Sequence, residues 1–423
     1  MNGSPSSLSA LRLGRSQPAA TTQETSAERR YPLGLNAPGI LVALGLLLLI
    51  VSVLASGAGA LAIPPGDVLA ILANNIGLGV GPSPDSRALQ YEMVLTGIRL
   101  PRVVLGIIAG AGLSVAGALM QGLFRNPLAD PALIGVSSGA SFGASLMIVL
   151  GSLLPGFLAS AFGSFSIAIA AFVAGLIVTW IVYRIATHGA QTSVTTMLLA
   201  GIALNALCGA GTGTLILFSN DNQLRDLTFW SLGSLGAATW TTVLVVAPLT
   251  ILAIALTPRM ARALNAMLLG ESEAQALGIH TERLKKSVIV LSALAVGATT
   301  AVTGLIGFVG LVVPHLIRLS FGPDHRLLLP ASALLGATLL VAADVLSRTL
   351  IAPSEIPIGI LTALAGAPFF LWLLLRSQGG AWGGARGAGG AGGAGGARSA
   401  GGVRAARAGS LGTTNDPMGV KEA

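Results

Sequence analysis

The sequence predicts an all-α, polytopic membrane protein with about ten transmembrane helices, and three observations carry that class. Its 423 residues are 53% hydrophobic and only 9% charged, where soluble domains average roughly 25% charged. Apolar runs close to the ~20 residues that a ~30 Å bilayer core requires recur along most of the chain. An alternating topology gathers 19 of the 24 Lys and Arg on one side, the pattern that the positive-inside bias predicts.

The first 36 residues are polar, rich in Ser, Thr, Gln and Ala, and read as a disordered cytoplasmic tail with Arg29 and Arg30 near the lipid headgroups. No small-residue cleavage site follows a short apolar core, so no cleaved signal peptide is expected. Apolar segments then fall near 38–60, 98–121, 131–152, 160–186, 193–218, 239–257, 284–306, 307–321, 328–351 and 358–376, forming one membrane domain over 37–377. Between the seventh and eighth, the glycine-rich stretch Val302 to Val313 also reads as one broken region. The chain from 378 to 423 is mostly Gly, Ala and Arg; it offers too little apolar area to offset its ordering entropy and reads as a second disordered cytoplasmic tail.

With the N-terminus inside, ten alternating spans leave outside only Arg87, Arg99, Arg102, Arg225 and Arg348 of the 24 basic residues, and both termini are cytoplasmic. The net charge of +8 is spread over span ends and tails, not gathered on one soluble face, so no nucleic-acid partner is expected. The single cysteine, Cys208, excludes an internal disulfide.

Small residues mark where helices approach closely in lipid. Gly106 with Gly110, the stripe Gly135, Gly139 and Gly143, and Gly209 with Gly213 predict close crossings. Four scattered histidines and no metal-ligand spacing argue against a metal site or a catalytic residue. No glycine-rich phosphate loop is present, so any ATP, with its Mg, must be handled by another chain. Asp344 is the clearest intramembrane acid; it reads as a proton relay or, more plainly, as a partner for Arg348 one turn on.

Three motifs stand out. Arg99-Leu-Pro-Arg102 is read as opening the second span, with two arginines at a helix N-terminus against the dipole, an arrangement that points to an acidic partner; the alternative is snorkelling to headgroups. Phe124 to Pro131 is a stiff connector with Asn126 and two prolines, either a gate or an ordinary rigid turn. Within the inner loop 259–286, Gly270 to Gly278 reads as a short amphipathic helix with Ala274 and Leu277 on one side, suited to insertion into a partner's groove.

These residues, with Gln121 to Pro131, Gly135-Val-Ser-Ser-Gly139, Pro314-His-Leu-Ile-Arg318 and Glu355-Ile-Pro-Ile-Gly359, resemble the FecCD-type permeases of ABC importers for ferric siderophores, haem and cobalamin. The resemblance runs through most of residues 93 to 376 and implies the large, type II importer fold. It implies a homodimer in the bacterial inner membrane, two cytoplasmic ATPase subunits and a periplasmic binding protein. By the same resemblance, Arg99, Arg102 and Arg348 dock the binding protein, while Gly270, Glu271, Ala274, Leu277 and Gly278 couple to the ATPase. Asn126, Leu128 and Thr195 form the cytoplasmic gate.

The segment Asp221 to Gly236 looks most like haem permeases, and Phe229 with Trp230 suit a flat aromatic cargo, although interfacial anchoring accounts for them too. Siderophore or cobalamin remain as alternative cargoes, and His315 as a haem ligand is the less favoured of its readings. An ion-coupled secondary carrier is the competing class.

Overall fold

The computed structural model describes residues 36–78, 86–153 and 163–387. The chain divides into two units, Met1–Phe370 and Leu371–Ala423. The contacts discussed below belong to the first; the described part of the second is helix.

Each predicted apolar segment coincides with a helix. Among the described residues, seven helices are long and apolar enough to cross a membrane, and three more, Val136–Leu150, Val309–Phe321 and Ile358–Leu373, are apolar but shorter. In chain order the elements are α1 (Ala37–Gly57), α2 (Pro65–Asn75), α3 (Ser86–Val94), a π turn (Leu95–Arg99) and α4 (Leu100–Leu123). After them come a 3₁₀ turn (Pro131–Ile134), α5 (Val136–Leu150), α6 (Ser166–Ala186), the hairpin β1 (Thr187–His188) and β2 (Gln191–Thr192), and α7 (Val194–Leu217). The remainder are α8 (Asp221–Leu232), α9 (Trp240–Leu256), α10 (Ala261–Met267), α11 (Glu271–Ala276), α12 (Thr281–Thr303), α13 (Val309–Phe321), α14 (His325–Thr349) and α15 (Ile358–Gly387).

The core is organised around α4. It is apolar on every side and buried without a break from Ile108 to Leu123, as a helix with no polar face must be. α14 runs antiparallel to it at backbone contact: a Cβ at Gly110 would lie 2.3 Å from the Gly336 carbonyl oxygen, and His325 meets Gly122 at the other end. α13 packs as closely, since a Cβ at Gly117 would stand 1.7 Å from the Gly310 carbonyl oxygen. The predicted stripe on α5 seats α6 in the same way, with Gly143 against Ala170 and Gly139 against Ala174. At the third expected crossing no partner is found among the described residues, because Gly209 and Gly213 meet nothing within 4 Å.

Outward faces are strongly apolar. Leu49 on α1, Leu207 on α7 and Leu244 on α9 are each at least 60% exposed, a surface suited to lipid or another apolar face and not to water.

Two expectations are corrected. No helix start lies at Arg99: the helical run Arg87–Leu123 passes through it, so the two arginines do not oppose a free N-terminus. Pro101 explains the π turn, since its ring cannot share a regular turn with the carbonyl four residues back. In that turn Leu100 N–H donates to Leu95 O, which leaves the Thr96 carbonyl with Pro101, lacking an N–H, as its next partner. The Trp240 indole N–H fills the gap, donating to Thr96 O at 2.9 Å. Trp240→Phe is expected to cost about 1 kcal/mol of stability in thermal unfolding, the usual worth of one such bond.

The second correction concerns the C-terminal tail. α15 continues to Gly387, beyond the boundary placed at 377, because extending an existing helix avoids the cost of nucleation. The expected tails 1–35 and 388–423 lie outside the described residues. Between the seventh and eighth segments, the glycine-rich stretch is indeed a break: α12 ends at Thr303, and an irregular passage leads to Phe308, held at φ 66, where α13 begins.

Candidate functional site

Tracing the helices places the predicted site residues at two opposite ends, with a cavity between. One end holds Arg99, Arg102 and Arg348; the other holds the 124–130 connector, the β1–β2 hairpin and the 259–286 loop.

At the first end all three arginines are buried. Arg102 donates from Nε to Asp344 Oδ1 at 2.8 Å and makes a bidentate pair with Glu355, at 2.8 and 2.9 Å. Asp344 also pairs with Arg348 Nε at 3.2 Å, the i, i+4 contact read from the sequence. Arg348 reaches the α1 C-terminus, donating to the carbonyls of Ala55 and Ala58 at 2.6 and 3.0 Å. Arg99 donates to the carbonyls of Ser56, Gly57 and Leu61. The guanidiniums of Arg99 and Arg348 thus satisfy carbonyls that the end of α1 leaves without helical partners. Arg102 and Arg348 find acidic partners within the chain, and of these Glu355, its side chain 43% exposed, faces outward.

Nearby, Trp230 packs on the cluster of Ala140, Ala144, Ala171 and Ala301, whereas Phe229 is exposed. The segment following them is pinned by backbone bonds from Ser234 N–H to Thr303 O (2.7 Å) and from Ile358 N–H to Gly233 O (3.0 Å).

The cavity, about 500 Å³, lies between α5 and α7 and is lined by Ser137, Ser138, Ser141, Asn205, Thr212 and Gly213, among others. Ser138 donates to Asn205 Oδ1 at 2.5 Å, so much of the polarity at its wall is already met. Gly209, which also lines it, has nothing packed against it, as is true of Gly213. The walls hold no ionised group, a surface that wets without gripping. His315 is buried in α13 and lines neither this cavity nor the smaller one beside it.

At the second end the connector is rigid. Arg125 takes a left-handed φ of 49°, Asn126 Oδ1 accepts the Leu128 N–H at 2.9 Å, and Asp130 caps the turn at Pro131 through the Ala132 N–H at 2.7 Å. Burial pushes the Asp130 carboxyl above the usual carboxylate range, with the Ala132 N–H pulling against it. Asn126 and Leu128 are exposed, and so is Thr195, which lies in the first turn of α7 and not in the preceding loop.

Gly270 and Gly278, at φ 141° and 82°, bracket α11 as read from the sequence. Ala274 and Leu277 separate, however: Ala274 is wholly buried, while Leu277 is 64% exposed beside Leu269 at 69%. The outward face is therefore made by Leu269 and Leu277. Glu271 turns inward to Lys285, at 2.5 Å.

Sequence reasoning missed three groups here. Lys285 stands out by no motif, although Glu282 three residues before it is a readable i, i+3 pair. Glu355 was noted within a motif but not as the partner of Arg102. Asn265 bridges α10 to α14 through Asp324 Oδ1 (2.7 Å) and the His325 N–H (2.9 Å), with no sequence signal beyond its polarity.

The profile of the FecCD transport family matches residues 46–376. The chain belongs to that family. As a FecCD permease it is a subunit of an ABC importer, a class that works with ATPase and substrate-binding partners. Among curated proteins, it is 50% identical over 281 residues to the hemin transport system permease HmuU of Yersinia pestis, covering 66% of this chain and 83% of that one. It is 42% identical over 283 residues to the cobalamin import permease BtuC of Halobacterium salinarum, covering 67% and 73%. Among solved structures, an ABC transporter assigned to the metal-chelate type, in an inward-facing conformation, matches this FecCD permease with a TM-score of 0.69 at 33% identity, over 80% of this chain and 99% of that one.

Proposed function

We propose that this permease imports haem, moving it from a periplasmic binding protein to the cytoplasm. The identity to the hemin permease carries this reading, being higher than that to the cobalamin permease over a stretch of similar length. A cavity with small, hydroxyl-bearing and uncharged walls suits a cargo that must be released as readily as it enters. The cavity-lining face of α7, with Gly209 and Gly213 unopposed, suits a second copy of the chain across a shared pathway. In this arrangement the permease is a homodimer in the bacterial inner membrane with both termini cytoplasmic, served by two ATPase subunits that carry ATP and Mg.

The end bearing α11 takes the ATPase. Leu269 and Leu277 present the apolar face, and Gly270 and Gly278 let the short helix turn as a unit. Asn126, Leu128 and Thr195, exposed at this same end, form the gate. Leu277→Glu is expected to leave the permease folded but to weaken ATPase association roughly thirty-fold, about 2 kcal/mol for one apolar side chain kept from burial. Co-purification and titration of labelled ATPase measure it.

The arginine end takes the binding protein. Arg99, Arg102 and Arg348 hold the platform, and Glu355 marks the place where a partner's carboxylate exchanges onto Arg102.

Uptake by proteoliposomes holding permease, ATPase and binding protein tests the substrate. ATP-dependent accumulation of haem, with none of a ferric siderophore or cobalamin, is the expected result; accumulation of either of the others instead would replace haem as cargo.

A further inference from the structure

At the ATPase-facing end, three elements converge on one buried ammonium. Lys285, in the first turns of α12, has a side chain only 3% exposed. It donates to Glu271 Oε1 on α11 at 2.5 Å, to Glu282 Oε1 on α12 at 2.8 Å and to the carbonyl of Thr192 on β2 at 2.8 Å. Glu282 completes the grip, its Oε2 accepting the Thr192 N–H at 3.0 Å. Both backbone groups of Thr192 are thus held by the cluster. The next residue, Ser193, caps α7 through the Thr196 N–H, and Thr195 follows in the first turn of that helix.

The chain itself offers α11 a weak hold on α12. Gly278, at φ 82° with nothing within 4 Å of its would-be Cβ, lies between them in an exposed link. Besides the buried Ala274, a polar pin fastens each end of α11: Glu271 to Lys285, and Gln275 Nε2 to Thr281 Oγ1 at 3.0 Å.

We infer that Lys285 is a positioning residue that relays displacement of α11 to the hairpin and so to the start of α7. This rests on the reading of α11 as the ATPase contact. A buried ammonium tolerates no half-broken set of partners. When α11 moves, Glu271 draws Lys285, and Lys285 with Glu282 carries Thr192, a few residues from Thr195. The links act in series, so cutting either one has the same consequence: hydrolysis proceeds while its motion no longer reaches the pathway.

The complete permease, ATPase and binding-protein assembly in proteoliposomes tests this, with cargo moved per ATP hydrolysed as the readout. Glu271→Gln, Glu282→Gln and Lys285→Met are each expected to lower that ratio roughly 2- to 30-fold, the span of coupling mutations in contiguous networks. The ATPase should still co-purify. Lys285→Arg should retain most of the ratio, and Lys286→Gln, an exposed neighbour on α12 outside the cluster, should leave it unchanged. An unchanged ratio in the first three variants, with uptake and hydrolysis falling together alongside thermal stability, would overturn the relay and leave a structural ion pair. No ATP-driven uptake by the wild-type assembly would overturn the ATPase-driven reading, and the relay with it.

Discussion

Gly117→Leu is expected to yield no folded permease in detergent, and even Gly117→Ala to lose about 3 kcal/mol or more, the top of the range for overpacked cores. The added Cβ would sit 1.7 Å from the Gly310 oxygen, with the Gly310 Cα itself at 2.8 Å, so the obstacle is backbone and no rotamer change relieves it. α4 and α13 would have to part by more than an ångström. α4 is packed along its whole length, and the displacement would spread to the α14 crossing at Gly110 and Gly336. Gly45→Ala on α1 is the matched control; its Cβ enters open space, and stability should stay within about 0.5 kcal/mol. Monodispersity and the midpoint of thermal unfolding for both variants check the pair.

Asp344→Asn is expected to destabilise by about 3–5 kcal/mol, the usual penalty for removing one member of a buried ion set. Asp344 answers two buried guanidiniums, Arg102 at 2.8 Å and Arg348 at 3.2 Å, of which only Arg102 has a second carboxylate, Glu355. The amide preserves the shape but supplies no charge, so the cost falls mainly on Arg348 and on its hold of the α1 C-terminus. Adding Arg348→Met should recover part of the loss, since the stranded charge goes with it. Unfolding midpoints of the single and double variants measure the coupling.

The spans were readable in the amino-acid sequence because bilayer thickness imposes a length that composition reports directly. The glycine crossings were half readable: Gly110 and Gly143 seat a neighbour within the chain, but the same spacing at Gly209 and Gly213 does not, because small-residue periodicity says that a surface is close-packing without saying what meets it. Arg99 and Arg102 were misread as flanking a helix start, since a proline marks a first turn and a π turn equally well. The charged clusters were the least readable part. Arg102 and Glu355 join elements far apart in the chain, Lys285 and Glu271 join two successive helices across a break, and only the local pairs, Asp344 with Arg348 and Glu282 with Lys285, carry a helical spacing. Ala274 and Leu277 were placed on one face by periodicity, yet α11 is too short for its end to follow the helix, and Leu277 turns outward.

We propose a conduit with no nucleotide chemistry of its own, driven through its α11 end by a separate ATPase. Uptake of labelled haem into proteoliposomes measures it most directly, comparing permease alone under a proton or sodium gradient, permease with ATPase and ATP, and permease with an ATPase whose phosphate-loop lysine is replaced. Accumulation is expected only with the intact ATPase and ATP, in the presence of binding protein. Gradient-driven accumulation by the permease alone would contradict it and establish a secondary carrier.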